Sequence, residues 1–199
     1  MVKLEALITG GAGFVGANLV EYLLDETDWN LTVLDNLSNS SLDNLKTIKN
    51  YNEARVEFIE GDIRDQDDVF NSVKGKDFVV NLAAQVGVVD SQDDPFHDMK
   101  VNVEGLLNLL EASRREDVNK LVHASSAAPL GNQEPPINED KVPRPIAPYG
   151  ASKLAGEGYC SAYSGSFDLN TTVLRFSNIY GPYSYHKTSV IHLFIKQIL

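Results

Sequence analysis

One cysteine, Cys160, stands among 199 residues, so no internal disulfide can form and the fold needs no covalent staple. Positive charge is scarce. Lysines and arginines number 17 against 28 acids, and the net charge of −11 repels phosphate backbones and anionic lipid. No basic run reverses that locally, so nucleic acid is not an expected partner. Long apolar runs are also missing: none approaches the roughly 20 residues of a bilayer span. The N-terminus enters a strand pattern without the charged and apolar regions of a secretory signal, so no membrane is expected. A lone cysteine agrees with a reducing, cytoplasmic setting, and Cys160 itself reads as a small buried residue on a helix. His97, His123, His186 and His192 lack metal-ligand spacing, and no metal is expected. The remaining composition, 43% hydrophobic and 23% charged, is that of a soluble globular chain.

Short apolar segments recur at Leu4–Thr9, Leu31–Leu34, Arg55–Glu60, Phe78–Leu82, Lys120–Ala124 and Thr171–Phe176. Segments of helical spacing or length separate them. The clearest predicted helices are Phe14–Asp25, Asp98–Arg115 and Tyr149–Tyr163. Such alternation predicts an α/β fold with a doubly wound parallel sheet, helices covering both faces. Asn36–Ser41 and the proline-rich span Pro129–Pro148 read as loops, and the second could form part of a substrate rim.

Within that frame, Thr9–Gly16 reads TGGAGFVG, after a strand and before a helix, with Asp35 ending the next strand. Strand, glycine turn, helix, strand and acid in that order form a dinucleotide site, so NAD is the expected cofactor. Gly10 or Gly11 allows the sharp turn, Gly13 clears the pyrophosphate's approach, and Gly16 allows close helix packing. Both GxGxxG and GxxGxxG fit. Asp35 can accept from both ribose hydroxyls and would repel a 2′-phosphate, which favours NAD over NADP.

A second pattern is Tyr149-Gly-Ala-Ser-Lys153. Positions i and i+4 share a helix face, so phenol and ammonium can point into one cleft. A phenol titrates near 10, and a nearby ammonium, aided by the positive nicotinamide of NAD, is expected to lower that value for base catalysis. Ser125 and Ser126 follow the fifth strand, where the carboxyl ends line the ligand crevice, so a hydroxyl can converge with Tyr149 and Lys153 on one substrate oxygen.

Together these residues resemble the extended short-chain dehydrogenase/reductase family, in its NAD-dependent nucleotide-sugar epimerase and dehydratase branch. The resemblance runs through nearly the whole chain. It implies cofactor contacts from Gly10, Gly13, Phe14, Val15 and Gly16 in the glycine loop, and from Asp35, Asn36, Asn39 and Ser40 in DNLSNS. Asp62 and Ile63 in GDIRD would meet the adenine. Leu82, Ala83 and Ala84 lie in NLAAQ, and Asn102 matches a structural asparagine near the cofactor. Ser126, Tyr149 and Lys153 match the catalytic positions, with Tyr149 and Lys153 also touching cofactor. Phe176 in LRFSNIYGP would meet the nicotinamide, and Ser126, Tyr149 and Asn178 the substrate. Asn81 replaces the usual His before LAA, and Pro129-Leu130 replaces the usual Val-Tyr, which removes a phenol from the substrate side.

Sugar 4,6-dehydratases of the branch resemble one another in an Asp-Glu pair directly after the catalytic Ser/Thr. Here Ala127 and Ala128 stand there, and alanine has no proton to move. The resemblance therefore implies C4 epimerisation of a nucleotide-diphosphate sugar through a transient 4-keto intermediate, by a homodimer. The alternatives are another NAD-dependent nucleotide-sugar oxidoreductase, or a non-catalytic NAD-binding regulator on the same fold. Residues 1–177 would form the NAD-binding Rossmann domain with the catalytic residues, and 178–199 the start of a small C-terminal substrate domain. Family members usually run past 300 residues, and HLFIKQIL ends without a helix stop, so the chain is expected to be truncated. His186 and Lys187 could meet a substrate diphosphate, and a helix is expected from about Thr188.

Overall fold

Six short strands line up in parallel, in the order β3-β2-β1-β4-β5-β6. They are β1 Glu5–Thr9, β2 Asn30–Asp35, β3 Val56–Glu60, β4 Phe78–Asn81, β5 Lys120–Ser126 and β6 Thr171–Phe176. The computed structural model describes residues 3–184 together with 194 and 197. The expected helix beyond Thr188 and the diphosphate contacts of His186 and Lys187 lie outside the described residues.

Alternating side chains place two cores on opposite faces of this sheet. Ala6 and Ile8 of β1 pack with Ala17, Val20 and Leu24 of α1 (Phe14–Glu26) and Leu45 of α2 (Leu42–Lys46). Leu7, between them, points the other way. It packs with Val69 of α3 (Gln66–Val73), with Leu106, Leu109 and Leu110 of α6 (Gly105–Arg115), and with Cys160 of α7 (Pro148–Phe167). Strand order reverses between β1 and β4, and their carboxyl ends open a crevice there.

The expected single helix Asp98–Arg115 is three pieces. Asp94 caps His97 N–H, Pro95 takes the first helical position, and α5 runs Pro95–Met99 after the short α4, Val88–Asp93. A π turn, Lys100–Glu104, then leads into α6. Its extra residue per turn does not show in the apolar spacing, because α6 keeps its own regular stripe.

The centre of the sheet is polar. Thr9 Oγ1 donates to Asn81 Oδ1 at 2.7 Å, and Asn81 Nδ2 lies 3.2 Å from His123 Nδ1. Since the amide donates, the neutral ring carries its proton on Nε2, which has no partner among the described residues. Burial, helped by the positive Lys153, pushes His123 down from 6.5 to about 3. Between those values the unfolded chain binds the extra proton and the folded one does not, so stability rises with pH there and falls on acidification. The slope is at most about 1.4 kcal/mol per pH unit. Urea unfolding from pH 7 to 4 should show His123→Gln losing less stability than wild type; parallel losses would contradict the neutral buried ring.

Candidate active site

The glycine turn is shaped by the absence of side chains. Gly10 has φ +69°, and a Cβ there would come within 2.6 Å of Ala83 N. A Cβ on Gly16 would collide with Gly10 O and the Gly11 backbone. Gly16 therefore seats α1 on the turn itself, where sequence reading expected contact with the strand. Gly11 has no positive φ, but a Cβ there would come within 2.7 Å of Val33, so Gly10, Gly11 and Gly16 are each held to glycine by close packing. Gly13 is the N-cap of α1 and offers no side-chain cap, which leaves the first N–H groups of the helix for an anion.

A cleft of about 260 Å³ opens over this turn. Gly10, Gly13, Phe14, Val15 and Gly16 line one end, with Asp35, Asn36, Asn39 and Ser40, then Asp62 and Ile63, then Leu82, Ala83 and Ala84. Arg64, Gln85, His97 and Val101 also line it and were not singled out in the sequence. Arg64 grips Asp62 with two nitrogens, at 2.9 and 2.6 Å, and holds that carboxyl far below the usual carboxylate range. Asn36 Nδ2 adds a bond at 2.9 Å.

Asp35 is more occupied than expected. Its Oδ2 accepts from Ala12 N–H at 3.0 Å, and its Oδ1 from Leu37 N–H at 2.9 Å and Ser40 Oγ at 2.8 Å. A carboxylate accepts about four hydrogen bonds, so three internal donors leave little for two ribose hydroxyls unless Ser40 turns away. The acid thus orders the turn and the DNLSNS loop in addition to facing the cleft.

Ser126 ends β5, and the side chain of Tyr149 lies beside it at the start of α7. Ser126 Oγ accepts from Ala128 N–H at 3.2 Å and also favours the Tyr149 phenolate. Burial outweighs that help, and Asp98 adds to it, so the Tyr149 phenol is pushed up. The expected lowering joins Lys153 to the positive nicotinamide, and Lys153 alone does not produce it. The lysine turns toward the sheet and donates to Ala124 O at 2.9 Å; burial lowers it to about 8, with Asp98 working against the shift.

Ser126, Tyr149 and Lys153 do not line this cleft, and neither do Asn102, Phe176 and Asn178. Asn102 reaches its wall by exchanging hydrogen bonds with the Gln85 backbone, both at 3.0 Å. Phe176 is half-buried at the end of β6, where its carbonyl accepts from Ala127 N–H at 2.9 Å, and Asn178 is exposed. Behind the hydroxyls, Arg175 clasps Glu157, which also accepts from Ser125 Oγ at 2.6 Å. Among the described residues, no group of three acids, histidines or cysteines could hold a metal, and no helix is long and apolar enough to cross a membrane.

Comparison with known proteins agrees with this geometry. The NAD dependent epimerase/dehydratase family model matches residues 6–199. The chain belongs to that family. The chain is similar to a UDP-glucose 4-epimerase of Mycolicibacterium smegmatis, 36% identical over 98% of the chain and 63% of the relative. A UDP-N-acetylglucosamine 4-epimerase from Methanobrevibacter ruminantium, solved with UDP-N-acetylmuramic acid, superposes with a TM-score of 0.91 at 32% identity, covering 100% of this chain and 63% of that one. A dTDP-glucose 4,6-dehydratase from Streptomyces venezuelae, solved with NAD, gives 0.89 at 30% identity, with 98% and 62% covered. The chain thus spans about six-tenths of the length of these relatives.

NAD is the cofactor of this epimerase/dehydratase family member, and the residues present fit it. The turn has no room for a Cβ at Gly10 or Gly16, the α1 N-terminus is uncapped, and a carboxylate closes the ribose end. Calorimetry should find NAD bound more tightly than NADP. Asp35→Ala should weaken NAD by about 10- to 100-fold, the worth of charge-assisted hydrogen bonds. NADP binding as tight as NAD would overturn the role given to Asp35.

Proposed function

We propose that the full-length protein is an NAD-dependent nucleotide-sugar 4-epimerase. One observation carries this reading: Ser126 and Tyr149 meet at the end of β5, while the two positions after Ser126 are Ala127 and Ala128. Ala127 gives its N–H to Phe176 O, Ala128 gives its own to Ser126 Oγ, and neither has a side-chain proton to move. A dehydratase needs an acid and a base to expel water, and these positions supply neither. The similar identity to epimerases and to a dehydratase does not separate the two; the alanines favour the epimerase.

Tyr149 takes the proton from the sugar's 4-hydroxyl, and Ser126 donates a hydrogen bond to that oxygen as charge develops on it. NAD, held by the cleft residues, would supply the acceptor for the C4 hydride and its donor back to the other face, and Tyr149 then gives its proton back to the C4 oxygen. Lys153 supplies positive charge at the base of α7, and with its value near 8 it is an ammonium at neutral pH. Since burial pushes Tyr149 up, forming the phenolate needs added positive charge in the assembled site.

Cofactor contacts are assigned to the cleft residues named above, with Asn102, Tyr149, Lys153 and Phe176 at the reacting end, and substrate contacts to Ser126, Tyr149 and Asn178. We assign residues 1–177 to the cofactor domain and 178–199 to the start of the substrate domain. The described part of that segment returns to α1, where Asn18 Nδ2 bonds both Phe14 O and Pro182 O. A homodimer in the cytoplasm is the proposed working form, on the exposed Phe96, Met99 and Tyr159 of the packed helices α5 and α7 and on the single buried cysteine.

Offered a panel of UDP-, GDP- and dTDP-sugars, the full-length protein should yield products of unchanged mass that chromatography identifies as C4 epimers. A product lighter by one water would make it a dehydratase. Tyr149→Phe should lower kcat by about 100-fold or more while NAD still binds, as expected for loss of a general base.

A further inference from the structure

Asn102 sits in the π turn, which swings its amide inward. Its Nδ2 faces three acceptors: Asp98 Oδ1 at 2.9 Å, Gln85 O at 3.0 Å and Ser152 Oγ at 3.2 Å. An amide nitrogen has two protons, and the charged acceptor competes best for them. Ser152 Oγ in turn donates to Tyr149 O at 3.0 Å. A continuous path of hydrogen bonds therefore runs from the cleft wall at Gln85, through Asn102, to the helical turn that carries Tyr149.

Asp98 is 1% exposed, and the mechanism above does not use it. A buried carboxylate is costly unless neighbouring groups compensate it. Among the described residues no ion pair does so, and Lys153 Nζ donates instead to Ala124 O. The charged or titratable groups it acts on are Lys153 and Tyr149, both on α7. His123 of β5 faces the lysine and is neutral; Asp90 and Asp93 of α4 are exposed, and His97 faces the cleft.

We propose that Asp98 is a positioning residue for Tyr149 and Lys153: through Asn102 it fixes the first turn of α7, which carries both, to the cleft wall. The proposal rests on the reading of Tyr149 as the base. Asp98's charge raises both groups: it adds to the burial that disfavours the Tyr149 phenolate and works against the burial that lowers Lys153. Removing that charge must move both titrations to lower pH. A residue that only supported packing would reduce activity without moving either.

The test uses full-length Asp98→Asn, which keeps an oxygen for Asn102, and Asp98→Ser as a second neutral variant. NMR of ring-labelled tyrosine follows the Tyr149 titration, its signal assigned by its loss in Tyr149→Phe. In both variants Tyr149 should titrate at lower pH than in wild type, and both limbs of the pH profile of kcat should move the same way. At the optimum kcat should fall by about 10- to 100-fold, the scale of a misplaced catalytic group, with KM within about twofold. Unmoved titration in the folded variants would overturn the proposal, as would loss of the fold in both, which would reduce Asp98 to structural support. If Tyr149→Phe keeps its activity, the base assignment fails instead, while the titration still reports on Asp98.

Discussion

Everything at this site depends on how closely α1 sits on the glycine turn. A single Cβ at Gly16 would strike Gly10 O, and one at Gly10 would strike the Ala83 backbone, so the turn is gripped by α1 below and by the β4 loop beside it. That grip brings the uncapped N-terminus of α1 to the switch point of the sheet, where β2 and β4 part on either side of β1. Asp35 then ties the turn to the next loop through Ala12, Leu37 and Ser40. The cofactor cleft is a consequence of backbone packing before any side chain contributes chemistry.

The reacting end is built differently, from buried charge. Lys153 is enclosed by β5, His123 and α7, and its neighbours leave it an ammonium with little reserve near neutral pH. Tyr149, close by, is disfavoured as a phenolate by burial and by Asp98. Such a site resists forming the base on its own. In the proposed mechanism, positive charge delivered when the site is assembled would offset that resistance and couple proton removal to a correctly filled cleft. The neutral His123 makes the same point from the other side, since a second cation beside Lys153 would be costly in that interior.

Local motifs were legible in the sequence because their geometry is local. The glycine turn, the strand ends and the four-residue spacing of Tyr149 and Lys153 each lie within one or two elements, and five of the six strands begin and end within one residue of expectation. What was not legible depends on distant segments meeting. Glu157 and Arg175 join only when β6 reaches the edge of the sheet beside α7. Lys153 points to Ala124 because β5 offers an unpaired carbonyl there, which spacing along α7 cannot reveal. Asp35 was read as facing ribose, yet three donors from its own and a neighbouring loop claim it first. The spacing of Asp98 to Asn102, i to i+4, is a signal in the sequence for a pair that does meet here.

The account's central claim is that this fold oxidises and re-reduces one sugar carbon, moving a proton only at oxygen. The direct measurement is turnover of an accepted nucleotide sugar by the full-length protein in deuterium oxide, with the product's C–H positions read by NMR. Tyr149 exchanges protons with oxygen alone, so the account predicts a C4 epimer with no deuterium on any sugar carbon. Deuterium on carbon in the product would contradict it, because inversion would then proceed by removing a proton from carbon.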